Sequence, residues 1–140
     1  MDRLTINDNT CFCCGKNNTH GLQLEFTYPE KGKARTKLTI PAYFSGWKDI
    51  THGGLLSMLL DETMAHACGS AGEWALTAEL SIRFVKPVQV KEGVVVEAVV
   101  TEKKSRLIKA TGRITNSAGE IIATGSARFI SSTPPSKDWA

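Results

Sequence analysis

The chain has 140 residues, with 17 basic against 14 acidic side chains and a formal net charge of +3. That length suits a single domain with a core of its own, and hydrophobic and charged fractions of 41% and 22% exclude a disordered or collagen-like polymer. No apolar run reaches the ~18 residues that a membrane helix needs, so no membrane partner is expected. The start, Met1-Asp2-Arg3-Leu4, lacks the basic-then-apolar layout of a secretory signal, and the expected location is cytoplasmic. The lysines are scattered, and Lys103-Lys104-Ser105-Arg106 has no interleaved aromatics, so it reads as a polar turn between strands and no nucleic-acid partner is expected.

In chain order, residues 1–20 read as an irregular segment packing on the domain, 21–131 as one domain and 132–140 as a frayed tail. Leu22, Leu24, Phe26 and Tyr28 alternate with Gln23, Glu25 and Thr27, the period-two pattern of a half-buried strand. Pro29-Glu30-Lys31-Gly32 is a turn, and Ala34, Thr36, Leu38 and Ile40 resume the alternation to complete a hairpin. From Gly53 to about Gly69 the pattern changes to strong helix formers with apolar residues on nearly every side, which predicts a buried helix. Four more strands are expected, through Leu76–Phe84, Val94–Val100, Ile108–Ile114 and Ile121–Phe129, and these strands after the helix can pair by short turns as a meander. One helix against about six antiparallel strands is an α+β layer architecture.

Three places in this sequence suit chemistry. His52-Gly53-Gly54 opens the helix, where unpaired amides and the helix dipole favour a developing negative charge and side-chain-free residues admit a close approach. Glycines there also serve tight helix packing. Asp61 and Glu62 lie adjacent in the middle of an apolar helix, ~100° apart, so they cannot share one site; Ser57 and His66, four residues from each, are the expected polar neighbours. Gly53 and Asp61 are separated by ~12 Å of helix. If both act on one carbonyl, the second must come from another copy across a two-fold axis.

The third place is Cys11-Phe12-Cys13-Cys14-Gly15 with His20. Cys11-x-x-Cys14 has zinc-knuckle spacing and His20 is a candidate third ligand, but neither a second CxxC nor a His pair follows. Packing is the expected role of these cysteines, and no metal is assigned. With three of the four cysteines in four positions, a reduced state is expected.

His52-Gly53-Gly54-Leu55-Leu56-Ser57-Met58-Leu59-Leu60-Asp61-Glu62 resembles the HGG-x6-D/E signature of hotdog-fold acyl-CoA thioesterases, in particular the phenylacetic-acid-degradation (PaaI-like) branch. Thr77-Ala78-Glu79-Leu80-Ser81-Ile82-Arg83-Phe84-Val85-Lys86-Pro87 resembles that branch's third strand. Cys11-Phe12-x-Cys14-Gly15 with His20-Gly21-Leu22 is similar to an N-terminal segment of many bacterial members.

The resemblance implies a long helix wrapped by a curved antiparallel sheet, homodimers or dimers of dimers, and hydrolysis of an acyl-CoA substrate with no cofactor. Residue by residue, it implies that the Gly53 amide polarises the thioester carbonyl and that Asp61 attacks, or activates water, from the partner subunit. Thr77 would hold the water or the carboxylate, and His52 would contact the thioester region. Gly54 and Glu62 are expected beside the substrate, although no family role carries over to Glu62. The competing expectations are a non-catalytic acyl-CoA-binding module, a hotdog dehydratase or hydratase using His66, and a zinc-dependent interaction module.

Overall fold

The computed structural model describes residues 9–133. The expectations for Met1–Leu4, for the first part of the N-terminal segment and for a frayed tail over 134–140 lie outside the described residues. A six-stranded antiparallel sheet carries one long helix on one face, the expected α+β architecture. In chain order the strands are β1 (Phe26–Thr27), β2 (Lys33–Thr39), β3 (Ser45–Trp47), β4 (Ile50–Thr51), β5 (Ala75–Phe84), β6 (Gly93–Lys104), β7 (Leu107–Asn116) and β8 (Ile121–Ser131); the helix α1 spans Gly53–Ser70. The sheet order is β1-β2-β6-β7-β8-β5, and β3 and β4 form a separate two-stranded ribbon.

Two expectations need correction. The first strand is only Phe26–Thr27, because Gln23 takes a left-handed backbone (φ 51°). Its side-chain Nε2 donates to the carbonyls of Lys16 and Asn18, so Leu22 and Leu24 pack from a loop. The meander covers β6, β7 and β8, whereas β5 crosses to the far edge and pairs with β8. The Lys103–Arg106 stretch does turn between β6 and β7, with Ser105 at φ 56°.

The helix lies in a trough made by missing side chains. Gly112 on β7 and Gly125 on β8 are cross-strand partners, and a Cβ added to either would meet Leu60 and Met64 at 3.1–3.5 Å. Leu55, Leu56, Leu59, Leu60, Thr63, Met64, Ala67 and Cys68 fill the interface at helical spacing. Truncating a fully buried leucine such as Leu60 costs ~2–5 kcal/mol. At the C-terminal end of α1, Ser70 Oγ accepts from the Gly32 amide at 2.8 Å, fastening the helix to the start of β2.

The opposite face of α1 is not sealed as its composition suggests. Ser57, Met58, Asp61, Glu62, Ala65 and His66 are half-buried, and His52 and Gly54 are exposed. That face divides into an open part around Asp61 and a part covered by residues 11–28.

Candidate functional site

The start of α1 is fixed from outside the helix. The His52 amide donates to the Phe44 carbonyl at 2.9 Å, and the Thr51 amide donates to the Val88 carbonyl at 2.8 Å. His52 is the N-cap, and its Nδ1 accepts from the Gly54 amide at 2.8 Å. An accepting Nδ1 leaves the ring proton on Nε2 in the neutral imidazole. The Gly54 amide is therefore occupied by the cap. The Gly53 amide has no acceptor among the described residues, and it sits where the helix dipole is positive. The Phe84 ring closes over Gly53, and a Cβ there would lie 3.1 Å from it.

Two turns along the helix, Asp61 faces β5. Thr77 Oγ1 donates to Asp61 Oδ1 at 2.7 Å, a short charge-assisted bond that fixes one carboxylate oxygen and leaves the other available. The expected Ser57–Asp61 pair does not form, because Ser57 Oγ turns back to the Gly53 carbonyl at 2.9 Å. A hydroxyl bonding its own i−4 carbonyl is a common alternative inside helices.

Glu62, although adjacent in sequence, belongs to a different cluster. Its Oε1 accepts from Cys14 Sγ at 3.1 Å and from Cys11 Sγ at 3.6 Å, and it lies 3.3 Å from His66 Nε2. Tyr28 Oη is 2.8 Å from His66 Nδ1, and Phe26 stacks on the imidazole with centroids 3.7 Å apart. Burial by itself would push the Glu62 carboxyl up. The hydrogen bonds from His66 and Cys14, with the charge of His66, outweigh that and hold it below the ordinary carboxylate range. Burial raises the Cys14 thiol well above its ordinary value, and the bond to Glu62 adds to it; Cys13 is pushed up to about 12, again mainly by burial.

The sequence-predicted residues thus separate into three groups. His52, Gly53 and Gly54 form the helix start, Asp61 on α1 pairs with Thr77 on β5, and Glu62 turns away from both to join Cys11, Cys14 and His66. His20, the third-ligand candidate, is exposed and stands outside that cluster. Its place beside the cysteines is taken by Glu62, which the CxxC spacing signalled only from one side. Two contributors had no local signal: the β3–β4 ribbon that sets the helix start, and Phe84 over Gly53.

A groove of about 670 Å³ lies on the other face of the sheet, lined in part by Ser81, Arg83, Thr111, Arg113, Thr124 and Ser126. It does not include the helix residues named above. No helix among the described residues is long and apolar enough to cross a membrane.

The thioesterase-superfamily model matches residues 49–123, more than half of the chain. Mouse (Mus musculus) acyl-coenzyme A thioesterase 13 is 31% identical over 77 residues, covering 53% of this chain and 55% of that protein. The chain spans about half to three fifths of the length of the curated relatives it matches. A crystal structure of a thioesterase superfamily protein superposes with a TM-score of 0.82 at 22% identity, covering 87% of this chain and 60% of that one. The E. coli PaaI protein from the phenylacetic acid degradation operon superposes with a TM-score of 0.75 at 22% identity, covering 80% and 81%. The matched segment holds the helix, the Gly-Gly start, Asp61 and Thr77 together, and the chain belongs to the thioesterase superfamily.

Proposed function

We propose that this chain hydrolyses an acyl-CoA thioester to the free acid and the thiol, in two shared sites of a homodimer. The observation that carries this reading is the Asp61 carboxylate, held by Thr77 on the open face of a helix whose first amide lacks an acceptor. The acyl carbonyl oxygen would take the Gly53 amide. Loss of one such donor typically costs ~3 kcal/mol in the transition state. Asp61 would deliver the attacking oxygen, either directly or from a water that it deprotonates. His52 Nε2–H would face the thioester, while Gly54 serves the cap and leaves the carbonyl to Gly53.

The ~12 Å of helix between Gly53 and Asp61 requires that the two act on one carbonyl from different subunits. β5 supports such a dimer. It is an edge strand with Leu76, Leu80 and Phe84 exposed, an arrangement that invites pairing with another strand. Pairing β5 with its copy across a two-fold axis would cover these residues and set Asp61 of one protomer beside the helix start of the other. The four free thiols support a reducing compartment, and we place the protein in the cytoplasm.

The test is hydrolysis of an acyl-CoA panel from aryl to long-chain, with Asp61→Asn beside the wild type. A general base contributes ~10²–10⁴-fold, so the variant is expected to keep its fold and dimer and lose turnover on that scale. Wild-type rates in the variant would remove Asp61 from the reaction.

A further inference from the structure

Glu62 is an unusual carboxylate to find beneath a loop. About a fifth of its side chain is exposed, and it has no Lys or Arg partner among the described residues. The groups around its Oε1 are two thiols and an imidazole. Thiols are weak donors, and the imidazole does more than they do to offset the burial of this carboxylate. These residue types together are, however, a ligand set.

We propose that Cys11, Cys14 and Glu62 bind one borderline-soft divalent transition-metal ion, zinc in the first instance, with His66 orienting the Glu62 carboxylate, and that the ion pins the N-terminal segment to the helix. In a tetrahedral zinc site, bonds of ~2.3 Å to sulfur and ~2.0–2.2 Å to a carboxylate oxygen put sulfur ~3.5 Å from oxygen. The distances from Glu62 Oε1 are 3.1 Å to Cys14 Sγ, 3.6 Å to Cys11 Sγ and 3.3 Å to His66 Nε2. The two sulfurs and the carboxylate oxygen all lie within 4.8 Å of one another. His66 shares only the Glu62 edge and stands outside this set, so it orients the carboxylate from behind.

The surroundings are those of a prepared site. The Gly15 amide donates to the Cys11 carbonyl at 2.8 Å and closes the Cys-x-x-Cys turn. A Cβ at Gly15 would come within 2.5 Å of the Cys11 nitrogen and of the Asn9 carbonyl oxygen, so glycine alone fits there. Tyr28 at Nδ1 and the stacked Phe26 fix the imidazole with Nε2 towards Glu62, so that it holds the carboxylate in place as the partners behind a metal ligand do. Binding would exchange two thiol protons, released to solvent, for two metal–thiolate bonds. Two thiolates and one carboxylate then hold a dication, with water as the fourth ligand and no redox change. The site ties the N-terminal segment to α1 on the side away from Asp61, so it does not rest on the proposed hydrolysis.

The test uses the full chain purified under reducing conditions, challenged with zinc, desalted and assayed for metal, with cobalt(II) as the spectroscopic probe. The expected result is about one zinc per chain, with a thiolate-to-cobalt charge-transfer band and the visible bands of a tetrahedral ion. A Cys11→Ser/Cys14→Ser double variant should lose both, whereas Asp61→Asn should keep both. If the double variant does not fold, Glu62→Gln should shift the visible cobalt bands. A wild-type chain holding less than about a tenth of an equivalent, cobalt bound without the thiolate band, or a folded double variant that retains its metal would each overturn the proposal.

Discussion

Asp61 and Glu62 are chemically similar neighbours on one helix, and the fold gives them opposite surroundings. Asp61 faces β5, takes one hydroxyl from Thr77 and keeps an open side. Glu62 faces the N-terminal segment and is enclosed by Cys11, Cys14 and His66. A rotation of ~100° between successive helical residues separates a carboxylate available to an incoming ligand from one committed to holding the chain together. Identity and position along the chain do not make that assignment; the element packed against each side does.

The largest expected effect lies at the edge that the Asp61 side requires. Leu76→Asp/Leu80→Asp places charges on two exposed apolar residues of the β5 edge, and should convert the proposed dimer to monomer in sedimentation while abolishing the proposed turnover. Full activity in a proven monomer would break the shared-site reading. On the other side of the helix, Glu62→Ala should lower unfolding stability by ~1–3 kcal/mol, the usual cost of stripping partners from enclosed polar groups. Turnover per folded molecule should stay within a few-fold. Thr77→Val removes the hydroxyl that fixes Asp61 and should lower kcat about tenfold, because it positions the carboxylate without replacing it. Its stability change should stay below about 1 kcal/mol, since the hydroxyl is on the surface of a single chain.

The smallest effect concerns pH. Cys68 is pushed from an ordinary 9.0 up to about 12, by burial first and then by the charge of Glu73. Because the folded value lies above the unfolded one, this thiol's contribution is complete below about pH 9 and is lost as pH rises towards 12. Cys68→Ala should therefore flatten the alkaline limb of a plot of melting temperature against pH relative to the wild type, with little change at neutral pH.

Much of the fold was legible because its signals are local. The alternation in Leu76–Phe84 and Ile121–Phe129 and the apolar run from Leu55 to Cys68 required no knowledge of distant contacts. Gln23 shows where this fails: its left-handed backbone depends on carbonyls of residues 16 and 18, which a period-two pattern does not reveal. Within the site, the helix start and Asp61 could be read, and so could the Glu62–His66 pair at i,i+4. The cysteines meeting Glu62 could not, since 48 residues separate Cys14 from its partner. His20 looked the better ligand only because it was closer in sequence.

The most direct test compares the two neighbours under one assay: initial rates of acyl-CoA hydrolysis and melting temperatures for Asp61→Asn and Glu62→Gln beside the wild type. The account predicts that Asp61→Asn loses turnover by ~10²–10⁴-fold with an unchanged melting temperature. Glu62→Gln should instead melt earlier and keep its rate within a few-fold. The reverse pattern, with Glu62→Gln inactive and Asp61→Asn turning over normally, would contradict the division of labour between the two carboxylates.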